Sequence, residues 1–283
     1  MARSTDISPL SVLLSRVDAV GDGSPIVDTI GCGFPSVDKA LGGGFRRSDL
    51  VVLGGDVGIG KSSLALAMAI RAALGGKRVA FFSSEMSPDR ILERVIAIEG
   101  RVRVDDLRRG ALDDVERASA GAVAVRLRDA VPVIERLPPE GVPRFAELLD
   151  QMPELDLAVV DGLPGFARGV RQLDEELATA VRELKTLALD RDSAILTTAQ
   201  VPALSTRPDR RPVLDDFGAL GAVKQHADVV LGLFREDMYE PARDIAGATE
   251  LLIRKNRNGA TGYVDLYFYA QWMRFEDMLD PDR

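Results

Sequence analysis

Gly55-Asp56-Val57-Gly58-Ile59-Gly60-Lys61-Ser62 fits the pattern G-x-x-x-x-G-K-[ST], in which a glycine-rich turn cradles phosphate groups. Upstream, Asp49-Leu50-Val51-Val52-Leu53-Gly54 is a short apolar, β-branched run that predicts a buried strand. Downstream, Ser63 to Leu74 is rich in alanine and leucine and predicts a helix stopped by Gly75-Gly76. Strand, glycine turn and helix in that order aim backbone N–H groups and the positive end of a helix dipole at one anion. Lys61 is suited to the β- and γ-phosphates, and the Ser62 hydroxyl to a Mg²⁺ ion beside them. The stretch Gly55 to Ser63 therefore predicts a nucleoside triphosphate site, with ATP and Mg²⁺ as the expected cofactors.

Working outward, 283 residues are enough for one large α/β domain or at most two small ones. The net charge of −8 means that any nucleic-acid contact must come from a local basic strip. Cys32 is the only cysteine, which rules out an internal disulfide and fits a reducing cytosol. His226 is the only histidine, so a His-rich zinc site and His-based nucleophilic catalysis are disfavoured; it reads as a polar helix-end residue. Met1 to Asp6 is polar and no apolar segment follows, which argues against a signal peptide. The longest uncharged apolar run, Leu64 to Ile70, is too short to span a bilayer. A cytoplasmic, soluble protein without a membrane partner is expected.

Along the chain, residues 1–8 read as a disordered lead and Pro9 to Val20 as a short amphipathic helix, broken at Asp22-Gly23-Ser24-Pro25. A second short helix is predicted over Pro35 to Leu41. Strands are predicted at Arg78–Ser84, Val131–Ile134, Asp156–Val160, Ser193–Ala199 and Ala227–Phe234. Helices are predicted at Pro88–Glu99, Arg144–Gln151 and Gln172–Leu189, and residues 101–128 read as a solvated, charged helical face. A polar loop follows over Val201–Asp216. The chain then changes character: Glu250–Lys255, Gly262–Tyr269 and Gln271–Phe275 read as antiparallel strands, with Val264, Leu266 and Phe268 alternating against polar neighbours. Strand–helix alternation followed by a β-meander predicts a mostly parallel, doubly wound sheet with helices on both faces, extended at one edge.

A phosphate cradle binds; hydrolysis also needs a metal-side carboxylate, a group that activates water and a stabilising positive charge. Leu157-Ala158-Val159-Val160-Asp161 is an apolar strand ending in an acid, the arrangement that sets a carboxylate beside Mg²⁺. Glu85 follows the strand ending at Ser84, on the sheet edge where ligands sit in open α/β folds, and is a candidate general base. Gln200 reaches that edge from another strand and is a candidate γ-phosphate sensor. Lys255 and Arg257 flank Asn256 near the turn Asn258-Gly259, where they either discourage edge pairing or act as fingers on a neighbouring subunit's nucleotide.

Together these residues resemble the C-terminal motor domain of the DnaB replicative helicase family, a RecA-like fold. The likeness spans residues 27–277. It rests on Gly33 to Gly44, the P-loop, Phe81-Phe82-Ser83-Ser84-Glu85-Met86-Ser87, the strand ending in Asp161, Ala199-Gln200, Gln225-His226-Ala227-Asp228, the run Lys255 to Gly262, and Gln271-Trp272-Met273-Arg274-Phe275. The P-loop itself is closer to the RadA-like branch, and Gly162-Leu163-Pro164 stands where the family has Tyr-Leu-Gln. By the resemblance, Lys61 and Ser62 hold phosphate and Mg²⁺, Asp161 is the Walker B acid, Glu85 the catalytic base and Gln200 the coupling glutamine. Lys255 and Arg257 match the trans-acting cations of a hexameric ring that holds single-stranded DNA in its channel.

Residues 1–26 are then a tail with a linker helix, and 27–283 an ATPase domain. Candidate DNA contacts are Arg168 and Arg171, set near Asp174, Glu175 and Glu176, and the stronger strip Arg207, Arg210 and Arg211, set against Asp209. The expected function is an ATP-driven DNA motor. The alternative is a RecA-fold ATPase that regulates or scaffolds protein partners without unwinding DNA.

Overall fold

The computed structural model describes residues 9–22, 28–202, 207–240 and 245–278. The expected lead over residues 1–8 lies outside them. Helix α1 (Pro9–Gly21) exposes Leu10, Leu14 and Val17. A small antiparallel ribbon, β1 (Thr29–Ile30) with β2 (Phe45–Arg46), encloses α2 (Pro35–Ala40). The ribbon is too short to carry a period-two signal, so no strand pattern in the sequence announces it.

The P-loop unit follows as β3 (Leu50–Gly55) and α3 (Lys61–Leu74), then β4 (Val79–Ser83) and α4 (Pro88–Gly100). The charged segment 101–128 resolves into α5 (Val104–Arg109) and α6 (Asp114–Leu127), the latter opened by a capping box between Asp113 and Glu116. Next come β5 (Val133–Arg136), α7 (Val142–Asp150), β6 (Leu157–Asp161), α8 (Leu173–Arg191), β7 (Ala194–Gln200), α9 (Ala222–His226) and β8 (Val229–Arg235). Strands β9 (Ala248–Asn256), β10 (Gly262–Tyr269) and β11 (Arg274–Asp277) are the last described strands. The last strand starts three residues later than the sequence pattern suggests, because Ala270–Trp272 coils into a 3₁₀ turn ahead of it.

Among the described residues nine strands form one sheet in the order β11-β10-β9-β8-β3-β7-β6-β4-β5. Strands β8, β3, β7, β6, β4 and β5 are parallel, and β9 to β11 extend one edge as an antiparallel meander. Every residue of β3, β4, β6 and β8 is buried. Alternation splits them between two cores: Val51, Leu53, Phe81, Val159 and Leu196 face α3, while Leu50, Val52, Phe82, Val160 and Ile195 face the α7–α8 layer. Helix α3 lies buried over nearly its whole length, which its alanines allow by permitting close approach to the sheet.

Among the described residues no helix is long and apolar enough to cross a membrane. In the second core Phe145 packs edge-on against Phe82 at 4.9 Å and Phe166 at 5.5 Å, with no surface exposed. Phe145→Ala should therefore lower unfolding free energy by about 3–5 kcal/mol, measured by urea titration.

Candidate nucleotide site

Four adjacent strands of the sheet, β3, β7, β6 and β4, end on the same edge, and their ends carry the candidate groups. From β3 the chain turns through Gly58 (φ +77°) and Gly60 (φ +110°), left-handed positions that glycine alone adopts freely. A side chain at Gly60 would also lie 2.8 Å from the ring of Phe275, so β11 packs directly beneath the loop. Helix α3 starts at Lys61, and its first turn holds its N–H groups toward the loop. Lys61 Nζ donates to the carbonyls of Gly55 (3.0 Å) and Asp56 (2.8 Å). Burial pushes the Lys61 ammonium below the ordinary lysine range, opposed by the carboxylates of Asp161, Asp56 and Glu85.

Asp161 is the junction of the site. It is 3% exposed, and its Oδ1 accepts hydrogen bonds from Ser62 Oγ (2.8 Å) and Thr198 Oγ1 (2.9 Å). Its Oδ2 is buried with no hydrogen-bond partner among the described residues. A carboxylate oxygen in that position is costly to leave unmatched. Beside the Ser62 hydroxyl it fits a hard divalent cation brought in with polyphosphate. Among the described residues no three His, Cys, Asp or Glu side chains cluster to hold a metal by themselves. Phosphate and water would have to supply the remaining ligands, as Mg²⁺ sites usually require.

Ser83 ends β4 opposite Asp161 in register, and its Oγ accepts from the backbone N–H groups of Glu85 (3.2 Å) and Met86 (3.1 Å). That turn delivers the exposed Glu85 carboxylate to the edge; a Cβ on Gly162 would lie 3.9 Å from it. Gln200 closes β7, paired in register with Gly55, and is exposed. The structure thus brings Lys61, Ser62, Asp161, Glu85 and Gln200 to one edge. It adds two groups that the sequence reading left out. Thr198 has no motif of its own and is visible only through its contact with Asp161. Arg94 of α4 is half-buried; burial depresses its guanidinium, and the charges of Asp161 and Glu85 oppose that shift. Its signal in the sequence is an arginine bordering the apolar stripe Ile91, Val95 and Ile98.

Lys255 and Arg257 lie elsewhere. Strand β9 runs antiparallel to β8, so its end is level with the start of β3, not with the P-loop. The six residues of β3 put roughly 17 Å between those levels at about 3.3 Å per residue. There Arg257 pairs with Asp228 (3.1 Å) and donates to the carbonyl of Gln225 (2.7 Å), while Lys255 donates to the carbonyl of Lys224 (2.7 Å). Asp228 also holds Lys185 at 2.6 Å, and Asn258 donates to Asp49 at 2.7 Å. Burial lowers the Lys255 ammonium below its ordinary range, and the neighbouring Arg257 adds to that.

The candidate DNA contacts divide. Arg168 and Arg171 are exposed, but the backbone N–H groups of residues 168 to 171 all donate to the single carboxylate of Glu176. Arg207 makes a two-point pair with Asp216, and Arg211 a two-point pair with Glu250 (2.6 and 2.5 Å). Among the described residues Arg210 has no ion pair; its guanidinium lies over the ring of Tyr239 at 5.1 Å.

A parallel sheet flanked by two helical layers, with a phosphate loop and an acid on the neighbouring edge, defines the RecA-like class of P-loop nucleotide-binding folds. Solved structures agree: an ATPase domain superposes with a TM-score of 0.89 at 21% identity, covering 97% of this chain and 100% of that one. A DnaB-like replicative helicase, solved in a study of its interactions with primase, gives 0.86 at 21% identity over 98% of this chain and 68% of that one. A KaiC-like protein from Pyrococcus horikoshii gives 0.62 at 15% identity, over 89% of this chain and 99% of that one. Residues 29–277 match the model of the DnaB-like helicase C terminal domain, and the chain belongs to that family.

The replicative DNA helicase DnaB of Geobacillus stearothermophilus is 29% identical over 254 residues, and that of Buchnera aphidicola (subsp. Acyrthosiphon pisum) 30% over 262. The matches cover 87% and 89% of this chain and 56% of each relative. The chain thus spans little more than half the length of these relatives. Thr198→Val leaves Asp161 Oδ1 with one donor and should cost about 1–2 kcal/mol of stability, read by thermal or urea unfolding.

Proposed function

We propose that this chain is the ATP-hydrolysing motor domain of a ring acting on single-stranded DNA, each site being completed by a neighbouring copy. One observation carries the reading: the P-loop and the cations Lys255 and Arg257 sit at opposite ends of the strands, so neither cation reaches its own chain's phosphates. In a head-to-tail ring the two ends meet across every interface, and a closed rotation makes all sites equivalent. The exposed Leu10, Leu14 and Val17 of α1 supply an apolar stripe for docking on such a neighbour. Residues 1–26 then act as tail and linker, and 27–283 as the motor domain.

In this reading the backbone of Gly55 to Gly60 and the first turn of α3, with Ser63, hold the phosphates. Lys61 leaves the carbonyls of Gly55 and Asp56 to neutralise them. Mg²⁺, held beside Ser62 and Asp161, supplies charge neutralisation on the polyphosphate. Glu85 orients water and accepts its proton, Gln200 senses the γ-phosphate, and Lys255 and Arg257 stabilise the charge that develops on the neighbouring site. Arg257→Ala should then lower ATP turnover by about a thousandfold. Mixing it with an otherwise inactive Lys61→Ala chain should restore part of the activity, because some interfaces regain an intact loop facing an intact finger. No recovery in the mixture would sink the trans assignment.

A second reading, a RecA-fold ATPase that regulates protein partners without unwinding DNA, draws on the internal pairing of Arg207 and Arg211 and on the Glu176 contacts of loop 168–171. Single-stranded DNA separates the two. A DNA motor should bind it with a log K that falls steeply against log salt, and its ATP turnover should rise with DNA. Absence of binding at low salt favours the regulator.

A further inference from the structure

Asp56 places a carboxylate beside the turn that is expected to cradle a polyanion. It is half-buried; its Oδ1 accepts from the N–H of Val57 (2.7 Å) and its Oδ2 from the hydroxyl of Tyr239 (3.0 Å). Tyr239 comes from the turn after β8, more than 180 residues away in sequence, and its ring is itself fixed. It stacks on Phe234 with centroids 5.8 Å apart and planes 14° from parallel, and Arg210 lies over it. Phe234 in turn carries Arg211 at 4.8 Å, and Arg211 is anchored on Glu250. Nothing in the sequence pairs Asp56 with Tyr239, and the roles assigned above use neither side chain.

The electrostatics give this contact a consequence. Asp56 is close enough to Lys61 for the two charges to interact. A carboxylate turned from that position toward bound triphosphate would oppose it. Across about 7 Å at intermediate dielectric, Coulomb's law makes such an opposition several-fold to tens-fold in affinity. We propose that Tyr239 is a positioning residue for nucleotide binding: its hydroxyl holds the Asp56 carboxylate turned away from the phosphate cradle. Burial and the Asp56 charge push the Tyr239 phenol up to about 12, so it remains a protonated donor at neutral pH. The inference rests on reading Gly55–Ser63 as an ATP site.

The test is a double-mutant cycle on the full chain with a fluorescent, non-hydrolysable ATP analogue and Mg²⁺. Tyr239→Phe keeps the ring on Phe234 and removes only the hydroxyl. It should raise Kd about fivefold in the native background. In an Asp56→Asn background, where no charge is left to hold, the same change should shift Kd by less than about twofold. A native-background shift below about twofold, or an equal loss in both backgrounds, as lost packing or a lost fold would give, overturns the proposal. Failure of the unsubstituted chain to bind the analogue would instead overturn the ATP-site reading on which it stands.

Discussion

Burial of the central strands on both faces is the constraint from which the rest follows. With Leu53 and Phe81 against one helical layer and Val52 and Phe82 against the other, β3 and β4 offer no solvated face on which a polar group could sit. Charged chemistry is pushed to the ends of the strands, where backbone pairing stops and helix N-termini begin. Asp161 sits at that limit. It is the last residue of β6 and almost fully buried, and it is tolerated because Ser62 and Thr198 donate to one oxygen.

The two ends of the sheet differ in what they hold. The P-loop end collects donors around a space suited to anions, with carboxylates at Asp161 and Glu85 and the half-buried cations Lys61 and Arg94. The opposite end is a network of satisfied charges: Asp228 is shared by Lys185 and Arg257, and Asp49 is held by Asn258. Such a network fixes the hairpin that carries Lys255 and Arg257. In the proposed ring such rigidity would spare the entropy of ordering a flexible hairpin at each interface. The antiparallel meander links the two ends: β9 leads to the hairpin, while Phe275 of β11 packs under Gly60.

Much of this was legible in the order of residues. The strand–loop–helix around Lys61 is a local signal, since glycine φ values, helix initiation and strand hydrophobicity act within a few residues of one another. Asp161 could be read because it ends an apolar strand and Glu85 because it follows one closely, and the ends of parallel strands share one edge. The meander was legible from the alternation of Val264, Leu266 and Phe268. Other features left no local trace. The split of residues 101–128 into α5 and α6 follows from Gly110 in a left-handed cap and from the Asp113 capping box, both hidden in a charged stretch. The basicity of residues 207–211 was plain, but the ion pairs that occupy Arg207 and Arg211 depend on Asp216 and on Glu250 of the distant strand β9.

The fold class, the phosphate loop and the groups that gather on its edge could be read from short stretches, because periodicity and turn chemistry are local properties. Long-range packing settled which charges are spent inside the chain and which face outward. It set Thr198 on Asp161, Arg94 within the field of that carboxylate, Tyr239 on Asp56, and Lys255 and Arg257 a strand's length from their own P-loop. Those relations join residues tens to hundreds of positions apart. They exist only once the sheet has placed its strand ends in space, since electrostatics and hydrogen bonding act over distance and not along the chain.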